Sequence, residues 1–389
     1  MRKLNLTRLG DIFTFKNGRA FKKSEWSEEG LPIIRIKNLN DSNAPFNYYE
    51  GQYDSAIEVN RGDLLFSWSG TVGSSFGSHI WGRDKGVLNQ HIFKVGFKEA
   101  INLQYAYYAL AEITAEIEKS VKGAVGLVHV TKSSLNEFQI PLPPLAEQER
   151  IVSILDKAFE GIDQAIAHTE QNLASARELF ESYLNTIFNQ KGEGWVETTI
   201  GDLGKVSMCK RILKKETKPN GDIPFYKIGT FGKAANAYIS ADLYNDFREK
   251  YSFPKKGEIL ISASGTIGRR VVYDGEPAYF QDSNIVWIAN DETKVTNDYL
   301  YEFYGACDWN PSKGATISRL YNDDLRRIKI HFPESQRTQS SIVAEIRSLR
   351  INTQQLQSLY TQKLNDLKEL KQSLLQQAFA GELTKEDAA

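Results

Sequence analysis

Two patterns of hydrophobic and polar positions run along the chain, and each pattern occurs twice. In the first, short apolar runs enter glycine-rich turns, as in GDLLFSWSG from Gly62 and GEILISASG from Gly257. Such runs predict strands, and so do LPIIRIKNL from Leu31 and IPFYKIGTF from Ile223. By contrast, LQYAYYALAEITAEIEKSV, from Leu103, has apolar residues at helical spacing. These stretches predict blocks of mixed helices and strands.

The second pattern is a long amphipathic run with few helix breakers. PLPPLAEQERIVSILD, from Pro141, begins one such run, and FPESQRTQSSIVAEI, from Phe332, begins another. Both runs place seam residues alternately four and three positions apart, which is the heptad pattern of a coiled coil. Prolines mark the start of the first helix, and Gly192 and Gly381 stand just past the two ends.

The heptad register assigns a seam to each run, and every position in the second seam lies 191 residues after one in the first, as Ile342 does after Ile151. The first predicted seam consists of Ile151, Leu155, Ala158, Ile162, Ala165, Thr169, Asn172, Ala176, Leu179 and Tyr183. The second consists of Ile342, Ile346, Leu349, Thr353, Leu356, Tyr360, Lys363, Leu367, Leu370 and Leu374.

The blocks before the two helices repeat as well. LTRLGDIFTFKNG, from Leu6, matches VETTIGDLGKVS, from Val196, and NRGDLLFSWSGTVG, from Asn60, matches PKKGEILISASGTIG, from Pro254. The order of the matched segments never changes, so a domain and its following helix are duplicated. The predicted division is a first domain at 1–143, a central helix at 144–191, a second domain at 192–333 and a C-terminal helix at 334–389.

The predicted fold class is α+β: two duplicated mixed α/β domains separated by a pair of long antiparallel coiled-coil helices, with a pseudo-two-fold relation. A helix with one apolar stripe must bury that stripe, and the nearest matching stripe is on its own duplicate. From Ala146 to Phe188 the first helix would be about 64 Å long. The alternative is that each helix packs only on its own domain.

Composition and charge exclude several classes of protein. The chain is 41% hydrophobic and 25% charged, with no apolar run near the roughly 20 residues of a membrane span, which predicts a cytoplasmic protein without a membrane partner. The net charge of −1 argues against coating nucleic acid by charge alone. Residues 144–190 contain three basic and eight acidic residues, so the two domains can still concentrate positive charge. Cys209 and Cys307 are expected to be reduced thiols.

Motifs for catalysis are missing. The chain has no GxxxxGK[ST] loop, no HExxH and no paired CxxC spacing, and its five histidines are scattered. We therefore expect no catalytic residue, no metal site and no cofactor, and interpret SWSGTVG and SASGTIG as turns between strands.

These motifs resemble the specificity (S) subunit of type I restriction-modification systems. The resemblance covers almost the whole chain and is carried by RLGDIFTFKNG, GLPIIRIKNL, GDLLFSWSGTVG, LNQHIF and PLPPLAEQERIVSILD, with weaker versions in the second half. It implies two target-recognition domains, each binding one half of a split double-stranded DNA sequence. It also implies that the helices set the spacer and dock two methyltransferase (M) subunits, which motor-nuclease (R) subunits join.

Base edges and phosphates are bound by Arg, Lys, Asn, Gln and small hydroxyl side chains, so such residues in loops and at strand ends are candidates for DNA contact. In the first domain they are Lys16, Arg19, Lys22, Lys23, Arg35, Lys37, Asn38, Ser67, Ser69, Asn89, Gln90 and Lys122. In the second they are Lys210, Arg211, Lys214, Lys215, Lys227, Ser264, Thr266, Arg269, Arg270 and Lys313. KRILKK, from Lys210, is the strongest basic cluster.

Two alternatives stay open. One is a duplicated scaffold that binds only proteins, and the other is a methyltransferase or nuclease that acts alone.

Overall fold

The computed structural model describes residues 5–41, 43–71, 75–120, 127–309 and 319–383, with only the backbone described at 71, 119–120 and 127–128. Contacts divide the chain into two compact units, residues 1–170 with 362–389 and residues 171–361. Each unit therefore combines one globular part with a segment of each long helix. Within the described ranges, every helix is too short or too polar to span a bilayer.

The first unit is built on two four-stranded sheets. Its strands are β1 (Leu6–Arg8), β2 (Phe13–Asn17), β3 (Leu31–Ile34), β4 (Asn47–Tyr49), β5 (Glu58–Val59), β6 (Leu64–Ser67), β7 (Ser69–Thr71), β8 (Gly77–Ile80), β9 (Gly86–Leu88), β10 (Ile92–Phe97), β11 (Leu127–His129) and β12 (Gln139–Pro141). Its helices are α1 (Leu9–Ile12), α2 (Ile36–Asn40), α3 (Leu103–Ser120), α4 (Lys132–Glu137) and the start of α5 (Leu145–Phe188). One sheet has the antiparallel order β2-β10-β6-β8, and the other has the order β4-β3-β9-β5 with β3 and β9 parallel.

The second unit repeats this plan. Its strands are β13 (Trp195–Thr199), β14 (Gly204–Ser207), β15 (Ile223–Tyr226), β16 (Tyr238–Ile239), β17 (Ile259–Ser262), β18 (Arg270–Val272), β19 (Tyr279–Phe280), β20 (Ile285–Asn290) and β21 (Lys329–Pro333). Its helices are the end of α5, α6 (Ile200–Leu203), α7 (Ala241–Lys250), α8 (Asn297–Ala306), α9 (Asn322–Arg327) and the start of α10 (Gln336–Phe379). The sheet β14-β20-β17-β18 matches β2-β10-β6-β8, and the parallel pair β15 and β19 matches β3 and β9.

The shared topology confirms the predicted duplication and the α+β class. The strands expected at LPII, IPFY, LLFS and ILIS are all present, because each is a short apolar run bounded by turn residues. The helix expected from Leu103 is α3. Its buried face packs with the sheet residues Phe15 and Phe66 in the core of the first unit.

Helices α5 and α10 pack against each other inside each unit, which confirms their antiparallel pairing. In the first unit the Lys371 ammonium lies 2.8 Å from an Asp163 carboxylate oxygen and 4.8 Å from the centre of the Phe159 ring. In the second unit the Arg350 guanidinium lies 5.7 Å from the centre of the Phe180 ring. As the residue number rises along α5, that of the partner on α10 falls, as in an antiparallel pair.

The seam agrees with the predicted one at several positions and differs from it at others. Leu155 and Ile346 are fully buried, and Thr169 and Thr353 are nearly so. However, Leu179 is 69% exposed, whereas its neighbour Phe180 packs in the core. The predicted positions at Ala158 and Asn172 are likewise displaced by one residue, because the larger side chains of Phe159 and Leu173 turn inward.

The same displacement occurs in α10 and corrects two further seam predictions. Leu356 and Leu370 are 43% and 47% exposed, while the residues that follow them, Gln357 and Lys371, are half-buried. The Lys371 ammonium faces the Phe159 ring, so at this position a cation–π contact occupies the place expected for leucine. In a heptad repeat the buried stripe can continue either three or four residues after a given seam position. Here packing against the partner helix places the residue four positions later in the stripe.

Leu155→Ala tests this register against Leu179→Ala. Removing the fully buried Leu155 side chain is expected to lower the free energy of unfolding by about 3 kcal/mol, since a core cavity remains. Removing the exposed Leu179 side chain is expected to change it by less than about 0.5 kcal/mol. Urea unfolding of the full chain measures both, and comparable losses in the two variants would contradict the observed seam.

Candidate nucleic-acid interface

A cleft of about 300 Å³ in the second unit brings basic and amide side chains together. It forms where β15 and β19 end side by side, and the segment after β14 contributes one wall. The lining consists of Arg211, Ile212, Lys214, Thr217, Phe225, Lys227, Gln281, Asp282, Ser283, Asn284 and Arg319. Four of these side chains are cationic and one is a carboxylate, so the cleft is suited to an anionic ligand with hydrogen-bonding edges.

The turn at residues 281–284 is the most constrained part of this cleft. Ser283 has a φ of 60°, in the left-handed region that a non-glycine residue seldom adopts. Arg319 donates a hydrogen bond of 3.0 Å to the Ser283 carbonyl, and the Ser264 hydroxyl contacts Asn284 Oδ1 at 2.8 Å. Arg211 Nε donates to Asp282 at 2.9 Å. Contacts from three directions hold the turn, so its side chains are presented in a defined arrangement.

A short basic 3-10 turn occurs at the same place in both units. In the first unit it spans Lys23–Glu25 and follows β2, and in the second it spans Lys214–Glu216 and follows β14. The carboxylate of Glu25 or Glu216 accepts a bond from the backbone N–H three residues earlier, at 2.7 and 2.6 Å. This bond lowers the pKa of Glu25, with a further contribution from Arg19.

These capped turns present their lysines to solvent. Lys22 and Lys23 are exposed in the first unit, as are Lys214 and Lys215 in the second. Exposed lysines at the same position of a repeated fold are suited to contact a phosphate backbone without distinguishing its sequence.

Several basic residues predicted to contact DNA in the first unit have partners inside the protein. Arg19 pairs with Glu25, and its guanidinium lies 4.9 Å from the Phe21 ring and 5.0 Å from the Tyr49 ring. Arg35 lies 5.7 Å from the Trp26 ring. Lys16 lies 3.4 Å from Asp54, although both side chains are exposed. Lys37 is exposed.

Two predictions in the first unit are wrong because the side chains are buried. Asn38 is 1% exposed, and its amide donates to the Ala44 carbonyl at 3.1 Å while its oxygen accepts from the Arg35 N–H. Ser67 is fully buried at the end of β6, and its hydroxyl donates to the Ser69 carbonyl at 3.2 Å. Both side chains stabilise local turns and are not available to DNA.

In the second unit the residues predicted to contact DNA fall into two groups, those bonded inside the protein and those that are exposed or line the cleft. Arg269 donates to the Phe231 carbonyl at 2.9 Å, and Arg270 lies 4.4 Å from the Tyr301 ring, so both are engaged in the fold. Ser264 supports the turn at 281–284, as described above. The remaining candidates stay predictions: Lys210, Arg211, Lys214, Lys215 and Thr266 are exposed, and Lys227 is half-buried in the cleft lining.

Sequence reasoning missed Arg319 and the turn from Gln281 to Asn284. A signal for the turn is present in the sequence, because QDSN follows β19 as NQH, with the predicted Asn89 and Gln90, follows β9. In the structure Asn89 and Ser69 are half-buried, and Gln90 is exposed with its amide 3.0 Å from His91. Arg319 had no such signal, since it joins the cleft only through folding. Lys122 and Lys313 lie outside the described residues.

The cysteines and the acidic side chains offer no reactive centre in the part of the chain that the structure describes. Burial raises the pKa of the Cys209 and Cys307 thiols to about 12, so both thiols are protonated at neutral pH. No group of three or more His, Cys, Asp and Glu side chains among the described residues is placed to hold a metal ion.

A family model described as the type I restriction modification DNA specificity domain matches residues 1–173 and again residues 192–368. The chain belongs to this family. The two matches correspond to the two copies of the duplicated fold, so the resemblance inferred from the motifs is confirmed.

Named relatives agree with this type I restriction-modification specificity family. The putative type I restriction enzyme specificity subunit S.HindORF215P of Haemophilus influenzae is 46% identical over 322 residues, which cover 82% of this chain and 80% of that protein. The EcoBI specificity subunit of Escherichia coli is 24% identical, over 97% of this chain and 85% of its own length.

Solved structures support the same fold. A chain from work on complex assembly and conformational transition of the type I R-M system matches with a TM-score of 0.74, over 98% of this chain and 100% of that one. The HsdS subunit of Thermoanaerobacter tengcongensis matches with a TM-score of 0.58, over 98% of both chains. Both are 18% identical to this chain, so these likenesses concern the fold alone.

Replacing Lys214 and Lys215 together by alanine tests the basic turn of this specificity family member. Loss of two phosphate contacts is expected to weaken DNA binding equally for all sequences and to reduce the slope of log K against log salt by about 2. Fluorescence anisotropy with labelled duplexes between about 50 and 200 mM salt, on the chain in the complex it forms in the cell, measures the slope.

The matched control replaces Lys255 and Lys256, which are exposed and precede β17 at the end of that strand opposite to the cleft. An equal reduction of the slope in both double variants would show that the turn has no special part in binding.

Proposed function

We propose that the chain is the specificity subunit of a type I restriction-modification complex and that each globular part reads one half of a bipartite double-stranded DNA target. The observation that carries this proposal is the double match to a DNA specificity domain, one match for each copy of the fold. A protein with two related reading domains binds two separate half-sequences, and the bases between them are not read.

The cleft of the second unit is the proposed reading surface for its half-site. Base edges in the major groove offer donors and acceptors that arginine, asparagine and glutamine side chains recognise, and phosphates attract cations. The turn from Gln281 to Asn284 supplies amides and a hydroxyl, and Arg211 and Arg319 supply guanidinium groups beside it. Lys214 and Lys215 then position the domain on the phosphate backbone.

The chemistry of the complex is proposed to belong to other subunits. The relatives are named as specificity subunits of restriction enzymes, which implies that partner subunits perform methylation and cleavage. We propose two methyltransferase subunits, joined by motor-nuclease subunits, in a cytoplasmic complex. The chain itself is proposed to be non-catalytic and to need no cofactor.

The long helices are the proposed docking surface for the methyltransferase subunits. In the second unit Leu179, Ile351 and Leu359 are 69%, 55% and 64% exposed on these helices. Large apolar side chains on a helix surface favour contact with a partner protein, and the acidic residues of α5 add charge that a basic partner surface would match.

Genome-wide methylation mapping of cells with and without this chain tests the proposed function. We expect one split sequence motif, with two short defined halves around unspecified bases, to lose methylation when the chain is absent. The alternative of a protein-binding scaffold without DNA readout predicts no loss of a sequence-specific motif. Methylation by the purified chain alone would instead support an enzyme that acts by itself.

Lengthening both helices tests whether they set the spacer. One heptad is inserted after Glu170 and one after Thr361, at exposed positions related by the 191-residue repeat. Seven helical residues add about 10 Å, so the unspecified spacer is expected to grow by about three base pairs while both half-sequences remain the same.

Methylation mapping reads out spacer and half-sequences in one experiment. Insertion into α5 alone is the control. It is expected to abolish methylation because the apolar stripes of α5 and α10 no longer face each other along their length. Altered half-sequences in the double-insertion variant would contradict the idea that the helices act as a ruler.

A further inference from the structure

A fully buried glutamine fastens the first turn of α5 to the globular part of the first unit. Gln148, the fourth residue of α5, is 1% exposed. Its side-chain oxygen accepts a hydrogen bond of 2.8 Å from the Asn102 N–H, at the start of α3, and its amide donates to the Pro143 carbonyl at 2.8 Å. One side chain thus joins the long helix to the domain helix and to the segment that follows β12.

The second unit repeats this contact with Gln339, the fourth residue of α10, which is fully buried. Its side-chain oxygen accepts from the Thr296 N–H at 2.9 Å, and Thr296 is the N-cap of α8. Its amide donates to the carbonyls of Lys294 and Pro333, both at 2.8 Å. Gln148 and Gln339 are therefore the same residue of the repeat, 191 positions apart, with equivalent partners.

A second contact lies farther along each long helix. In the first unit the Tyr108 hydroxyl of α3 donates to Asp156 of α5 at 2.5 Å. In the second unit Glu302 of α8, 1% exposed, forms a two-pronged pair with Arg350 of α10. The two contacts occupy similar places but differ in chemistry, since an aromatic hydroxyl in one copy corresponds to an ion pair in the other.

Two separated contacts on one rigid helix determine its direction as well as its position. A buried amide costs free energy unless its groups are bonded, and an apolar side chain of similar volume would fill the same space without that requirement. Holding an amide there, with donor and acceptor both used, restricts the first turn to one arrangement, because any tilt leaves buried polar groups unpaired.

Small errors in this direction grow along the helix. A tilt of about 10° at one end of a helix of 44 residues moves its other end by about 11 Å, or about three base pairs along DNA. A protein that reads two half-sites at a set spacing therefore needs the helix direction to be fixed where the helix leaves each globular part.

We propose that Gln148 and Gln339 are positioning residues that fix the direction of the long helices and thereby restrict the complex to one DNA spacer length. This inference rests on the proposed function, since it assumes that the chain reads a split DNA target. It also explains why the motif PPLAEQERIV and its counterpart ESQRTQSSIV, which contain these glutamines, occur at the start of both long helices.

The test uses the complete methyltransferase complex and targets that carry the cognate half-sequences at spacers from two bases shorter to two bases longer than the natural one. Gln148→Met and Gln339→Met remove the hydrogen bonds with little change in volume. In each variant the ratio of methylation at the neighbouring spacers to methylation at the natural spacer is expected to rise about tenfold, with the half-sequences unchanged.

Gln148→Leu also removes both hydrogen bonds without burying a charge, and it provides a second variant in case a methionine variant misfolds. Its spacer profile is expected to equal that of Gln148→Met. Matched controls are Gln164→Met and Gln355→Met, which replace exposed glutamines of the same helices at positions again 191 apart. Their spacer profiles are expected to equal that of wild type.

The outcomes separate the two proposals. Suppose that the wild-type complex methylates one spacer and that the glutamine variants keep the same narrow spacer profile at lower overall activity. This result would overturn the positioning role and leave the proposed function intact. A wild-type complex that methylates no split target at any spacer would overturn the proposed function itself.

Discussion

In each unit one helix of the globular part contacts both long helices, and the structure depends on these contacts. In the first unit this is α3, which is joined to the start of α5 through Gln148 and to the end of α10 through the Tyr105 and Phe379 rings, 5.2 Å apart. In the second unit α8 receives Gln339 in the same way, and the Phe188 ring of α5 lies 5.4 Å from that of Tyr299. Each globular core therefore includes residues from both long helices.

This arrangement explains why the repeat consists of a domain and a helix together. A long helix with one apolar stripe is unstable alone, and a small mixed domain gains core volume from a helix that packs on its face. Leu155 and Phe159 enter the first core as Ile346 enters the second. Duplication therefore supplies each helix with a partner and each core with two helix ends, without the evolution of a new interface.

The binding surface follows different rules from the core. The basic turns at Lys23–Glu25 and Lys214–Glu216 were accessible to sequence reasoning, because a cap residue and adjacent lysines form a local pattern. The candidates Asn38 and Ser67 failed because the short helix α2 and the end of β6 turn these two side chains inward, and composition does not predict that direction. Arg319 was missed because it reaches the cleft from a segment about 100 residues distant from Arg211 and Lys214.

Local periodicity, turn residues and internal similarity were enough to predict the duplication, the α+β class and the two long helices. Which side of those helices is buried depends on packing between segments that are distant in the sequence. In α10 the leucines at 356 and 370 made the wrong stripe look apolar, whereas Arg350 and Lys371 are half-buried beside the Phe180 and Phe159 rings of α5. These two basic side chains also pair with Glu302 and Asp163, and neither the rings nor the carboxylates are their neighbours in the sequence.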